Sequence, residues 1–172
     1  PSTLEADRRQ RQMCIRDSPT ISSAIMRILI AWDVKEDVDP LLAALSLLAV
    51  DSITWAGVLY LLPPDPDFVG FSAPTVAERA DLESEGAAAE RRLEDLTEAV
   101  SSALGLAATP ILRRDATGAG ILDSAEAEAP DLVVLGSHQR HGWTKLLHGT
   151  VSQSVVTRSL VPVLVIPHEG AP

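Results

Sequence analysis

The residues best suited to chemistry lie in two short glycine-containing segments. Gly136-Ser137-His138-Gln139 follows directly on the apolar run Asp131-Leu-Val-Val-Leu135, and Gly149-Thr150 comes after a nine-residue spacer, Arg140–His148. Behind Thr150 the run Val151–Ser159 reads as a helix, and Val161-Pro-Val-Leu-Val-Ile166 reads as a short buried strand. The loop therefore joins a strand to a helix N-terminus. Backbone amides at such a junction point outward with partial positive charge, and anions bind there. This is the pattern of a phosphate loop. The plainer alternative is that Gly136 and Gly149 are turn residues, Thr150 an ordinary helix cap and Asp33 a surface turn residue.

Bond-making chemistry has less to work with. The chain shows no Gly-x-Ser-x-Gly elbow, no Gly-Lys-Thr/Ser phosphate loop and no carboxylate pair at a recognisable spacing. An ATPase needs a group to orient water and an acid to hold metal, and Asp33 and Asp115 are the residues available for those roles. His138, His141 and His148 invite a metal reading, but no carboxylate or cysteine set completes a ligand shell. Arg140 and Lys145 either neutralise phosphate or are solvated charges. Gly118-Ala119-Gly120 is too short for a dinucleotide fingerprint, because Asp123 stands where the third glycine belongs. A tight helix entry explains it.

These segments need elements to position them. Ile28-Leu-Ile-Ala-Trp32 is a continuous apolar run suited to a strand covered on both faces, and Asp33 ends it. Asp39-Pro40 predicts a helix start with Asp39 as cap, followed by Leu41, Leu42, Leu45, Leu48 and Ala49 on one face. Ile53–Leu62 reads as a second strand, stopped by Pro63-Pro64. The Pro-, Phe- and Gly-containing segment from Asp65 to Pro74 reads as a loop. Thr75 and Glu78 form a capping box that opens a long helix, with Leu93, Leu96, Val100 and Leu104 on its core face and Gly105 as its stop. Ala108–Leu112 is a weaker strand. A short helix through Ile121, Leu122 and Ala125 ends near Pro130. Five strands alternating with four helices predict an α/β fold, an open and mostly parallel five-stranded sheet with helices on both faces, Rossmann-like. Ligands in such folds bind beyond the carboxyl ends of the strands. Asp33 and the Gly136 segment both lie there.

The amino terminus is set apart. Arg8-Arg-Gln-Arg-Gln-Met-Cys-Ile-Arg-Asp-Ser18 is what one reading frame of a transposase-based sequencing adaptor encodes, so residues 1–18 are expected to be non-native, with 19–25 a flexible lead-in, 26–167 the domain and 168–172 a tail. The whole chain carries a formal net charge of −10. Removing the four Arg and three acidic residues of segment 1–18 leaves 10 basic against 21 acidic side chains, a net of −11. An acidic body repels nucleic acid and anionic membranes, although a local anion site still operates inside a negative field. Cys14, the only cysteine, falls in the set-apart segment, so disulfides, cysteine-ligated zinc and a cysteine nucleophile are not expected. That suits a reducing cytoplasm. No apolar run approaches the roughly 20 residues that cross a bilayer, so a soluble protein is expected.

Taken together, the strand, the spaced glycines and the Pro-Val-Leu-Val strand resemble the universal stress protein family over residues 26–167. Its ATP-binding members carry Gly, two residues, Gly, nine residues, Gly, then Ser or Thr; here Gly136, Gly149 and Thr150 match, while Gln139 stands at the second glycine. The resemblance implies an adenine nucleotide, ATP with Mg, at Asp33, Leu61, Gly136, Ser137, His138, Gln139, Gly149, Thr150 and Val151, with Asp33 and Leu61 toward the adenine. It implies a stress-response regulatory module with at most slow hydrolysis, and a homodimer joined through Val161, Val163, Leu164, Val165 and Ile166. The alternative is a nucleotide-free homodimer acting as a protein-interaction scaffold. Gln139 and Trp143 occur in non-binding members, a glycine at 139 would admit phosphate without a Cβ, and Trp32 either stacks on a base or blocks it. A small-metabolite or phosphotransfer member of the wider fold group is a third reading, with no motif of its own.

Overall fold

The protein is described here from a computed structural model, which covers residues 25–48, 50–64, 75–138 and 150–168. In chain order it contains β1 (Met26–Ala31), α1 (Asp39–Leu45), a 3-10 turn (Val50–Ser52), β2 (Ile53–Leu62), α2 (Val76–Leu104), β3 (Thr109–Arg114), α3 (Thr117–Glu128), β4 (Leu132–His138), α4 (Thr150–Arg158) and β5 (Val163–His168). The strands form one sheet in the order β3-β2-β1-β4-β5, with every neighbouring pair parallel. This is the α/β architecture that the alternation of apolar runs predicts.

The period-2 geometry of a strand divides the core in two. Ile28 and Ile30 of β1, Val58 of β2 and Val134 of β4 face one side, where they meet Leu41 and Leu45 of α1 and Leu93, Leu96 and Val100 of α2. Leu29, Leu59, Val133 and Leu135 face the other, against Ile121 of α3 and Val155 of α4. Nearly all of these side chains are fully buried, as parallel strands between two helical layers require.

Helix α2 stops where the sequence indicates, at Leu104, because Gly105 adopts φ +66° and so turns the chain out of the helix at no Cβ cost. Its start also agrees: Thr75 immediately precedes the helix and its carbonyl accepts the Arg79 N–H at 3.0 Å. Among the described side chains, the first buried one after that start is Ala89. Glu85 lies 3.6 Å from Lys35 in the turn after β1, and a Cβ on Gly86 would sit 3.4 Å from the Arg114 guanidinium at the end of β3. The first turns of α2 therefore rise past the carboxyl edge of the sheet.

Several boundaries differ from the sequence reading. Asp39 is not the cap of α1: Val38 occupies that position without a side-chain bond, and Asp39 sits inside the first turn, its own N–H donating to Asp37 Oδ1 at 3.1 Å. Strand β3 runs two residues further than expected, and β5 starts and ends two residues later. The largest change is in β4. Gly136, Ser137 and His138, read as the opening of a loop, continue the strand and pair with Ile166, Pro167 and His168 of β5. Ladder pairing with a neighbour overrides the local turn signal of a glycine.

Candidate functional site

A cleft of about 310 Å³ opens at the carboxyl ends of β1, β2 and β4, roofed by the N-termini of α3 and α4. Strand order reverses between β1 and β4, and this is where an open parallel sheet leaves a crevice. The volume lies at the small end of ordinary ligand pockets. Among the residues singled out from the sequence, Asp33, Leu61, Gly136, Ser137 and Val151 all line it. His138 ends β4 and Thr150 opens α4, with their side chains outside what the structure describes. Gln139 and Gly149 lie outside the described residues, as do His141, His148, Arg140, Lys145 and Trp143.

Asp33 serves a turn as well as the cleft. Its Oδ1 accepts the Lys35 N–H at 2.9 Å and its carbonyl accepts the Glu36 N–H at 3.0 Å, which fixes the chain just after β1. Asp115 does not line the cleft; its carboxylate accepts the adjacent Ala116 N–H at 2.6 Å. The two acids nominated for hydrolysis are thus not brought together. Among the described residues no group of three or more His, Cys, Asp or Glu side chains is placed to hold a metal ion.

Sequence reasoning missed half of the wall. Thr117, the first residue of α3, lines the cleft behind an N-cap residue, Ala116, that offers no side-chain bond to the helix start. Ser152 in the first turn of α4 is only 6% exposed and lines it too, as does the equally buried Ser137. Two helix N-termini and two buried hydroxyls therefore meet at one end. Close packing holds α3 there: a Cβ on Gly120 would sit 2.9 Å from both Leu61 Cδ2 and Asp115 Cβ. The glycine read as a tight helix entry is a close approach of helix to strand, inside the first turn of α3. Trp32 and Tyr60 line the cleft's other side. Leu61 was legible and Tyr60 was not, because at the open end of a sheet both faces of a strand border the crevice.

Residues 25–167 match the profile of the universal stress protein family. The chain belongs to that family. Among solved structures, the universal stress protein UspA of Lactobacillus plantarum superposes with a TM-score of 0.65 at 19% identity, covering 83% of this chain and 97% of that one. A universal stress protein from Archaeoglobus fulgidus in complex with dAMP gives 0.54 at 17% identity over 83% of this chain and 98% of its own. Another universal stress protein, in complex with cAMP, gives 0.57 at 14% identity over 86% and 99%. At these identities the likeness shows the fold. No protein of curated function matches the chain significantly.

In this universal stress protein Tyr60 has a distinctive titration. Burial first, then the carboxylates of Asp33 and Glu85, push its phenol above the ordinary 10.0, while Arg92 pulls the other way. The folded state therefore favours the neutral phenol. Its contribution to stability is complete below pH 10 and is lost as pH rises through the higher folded value. Tyr60 is the only tyrosine, so phenolate absorbance reports it alone. The midpoint is expected above 10.0 in the native protein and to return to that value in denaturant; a native midpoint at or below it contradicts the account.

Proposed function

We propose that this universal stress protein binds an adenine nucleotide, ATP foremost, in the cleft and acts as a regulatory domain in stress response, its occupancy changing partner choice. The observation that carries the reading is the convergence of the α3 and α4 N-termini, with the buried hydroxyls of Ser137 and Ser152, on one end of a crevice at the switch point of the sheet. Helix N-terminal amides, which at α3 lack a side-chain cap, and hydroxyl donors suit phosphate oxygens. Two relatives of the same fold were solved with dAMP and with cAMP, which supports an adenine ligand. Phosphate lies at Gly136, Ser137, Val151 and the Gln139, Gly149 and Thr150 backbone, with Asp33 and Leu61 toward the base. Magnesium arrives with ATP and offsets phosphate charge. Asp33 is a carboxylate lining the cleft, and the at most slow hydrolysis that the family resemblance implies would fall to it. MgATP at a hundredfold excess over its dissociation constant is expected to raise unfolding stability by about 2.7 kcal/mol. An unchanged denaturation midpoint under saturating MgATP would count against nucleotide binding.

A homodimer through β5 belongs to the same reading. β5 pairs with β4 alone among the described strands, so its other side is an open edge. Val133 N–H donates to Pro162 O at 3.0 Å, so residues 162, 164 and 166 direct their backbone groups toward β4 and Val163, Val165 and Pro167 direct theirs outward. Pro167 then places its missing N–H on the open edge, where it costs the sheet no bond. Val165→Pro removes an outward donor while sparing the ladder to β4. Light scattering is expected to show a dimer for the wild type and a monomer for this variant. A monomeric wild type, or a variant that stays dimeric, overturns the assignment. The nucleotide-free scaffold keeps two sequence observations in its favour, Gln139 at a glycine position of the ATP-binding pattern and Trp143 beyond it.

A further inference from the structure

The cleft has two chemically different ends, and only one is accounted for by phosphate. At the other end Trp32 and Tyr60 stand side by side. Ala31 pairs with Leu59 in the register of β1 and β2, and the Trp32 N–H reaches Leu59 O at 3.4 Å, so the two aromatic residues are lateral neighbours. Both project toward the α1 and α2 face, and both line the cleft. Trp32 is almost fully buried, fixed among core side chains, and Tyr60 is half-buried beside it. From the other face of the sheet Leu61 and Ile121 contribute apolar surface to the same crevice. The chain is poor in aromatic residues, with three Trp, two Phe and one Tyr, so a neighbouring pair here is not a product of composition.

We propose that Tyr60, held in place by Trp32, is a specificity-determining residue that takes the planar heteroaromatic ring of the nucleotide by stacking, with a purine favoured by size. This rests on the nucleotide-binding reading above and adds to it a division of labour along the cleft. Aromatic rings offer flat, polarisable surface to a base, and such contacts tolerate many bases because each has a π-face. The neutral phenol at physiological pH adds no charge to oppose the ligand's own. Trp32 supports the ring of Tyr60 from the core and limits its rotation; it is a positioning residue.

The test separates ring from phosphate. MgATP and magnesium tripolyphosphate are titrated calorimetrically into the wild type, Tyr60→Phe and Tyr60→Leu. Stacking predicts that Tyr60→Leu weakens ATP about tenfold while leaving tripolyphosphate within about twofold, and that Tyr60→Phe, which keeps the ring, stays close to wild type. If Tyr60→Leu binds ATP as tightly as wild type, or loses both ligands in parallel, the proposal fails. Should the leucine variant not fold, wild type and Tyr60→Phe still decide it: both must bind ATP at least tenfold tighter than tripolyphosphate. A wild type that binds tripolyphosphate as well as ATP defeats this inference alone, whereas a wild type that binds neither defeats the nucleotide reading beneath it as well.

Discussion

Gly120→Val is expected to lower unfolding stability by about 3 kcal/mol, the upper end of the cost of overpacking, and to weaken nucleotide binding with it. The obstruction has two parts of unequal stiffness. Leu61 Cδ2, 2.9 Å from a Cβ at position 120, is the tip of a side chain that can rotate, but Asp115 Cβ at the same distance is one bond from the backbone. Helix α3 must therefore shift away from β2. Gains in helix propensity on replacing glycine are worth at most about 1 kcal/mol and do not offset that shift. Because Leu61 and Thr117 both border the cleft, the displacement also misplaces its wall. Urea unfolding followed by circular dichroism measures the first effect and ATP titration of the folded fraction the second. An unchanged midpoint would mean that α3 and β2 are not packed as closely as described.

Thr117→Asp makes the opposite combination, with stability kept and binding lost. Thr117 is exposed at the first position of α3, behind an N-cap that supplies no side-chain acceptor. A carboxylate there favours the helix by roughly 0.3–1 kcal/mol through its interaction with the N-terminal amides. The same charge occupies the field that a phosphate would use. At about 4 Å two unit charges repel by about 1 kcal/mol in water and about 4 kcal/mol near a protein surface, so an ATP affinity roughly thirtyfold weaker is expected. The paired measurement guards against a trivial explanation, since a variant that binds poorly because it is misfolded fails the stability arm. Retained affinity with retained stability would place the phosphates away from α3.

How far these positions can be foreseen depends on the range of the interactions that fix them. Ile53–Leu62 was bounded correctly because a continuous apolar run between polar ends is a local signal, and Gly105 stops α2 for an equally local reason. Gly136 misled because its turn preference is local whereas its pairing with Ile166, thirty positions away, is not. The same holds for the cleft. Asp33 announces itself as a polar residue after a strand, and Gly136 as a flexible residue after an apolar run. Thr117 and Ser152 look like ordinary helix residues, and only the apposition of α3 and α4, with Ser154 within 3.8 Å of a Cβ on Gly118, brings them to one crevice. Asp115 shows the converse, being well placed in sequence but turned to its own backbone.

The acidic body sharpens the claim, because a chain with 24 acidic against 14 basic residues gains nothing from nonspecific attraction to a polyphosphate. Binding must come from the directed donors of the cleft. Calorimetric titration of MgATP into the protein, with Gly149→Arg as the blocked control, tests this most directly. The account predicts micromolar binding by the wild type that is abolished in the control, where a long cationic side chain enters the spaced-glycine segment. No heat at millimolar MgATP, or equal binding by both proteins, would contradict it.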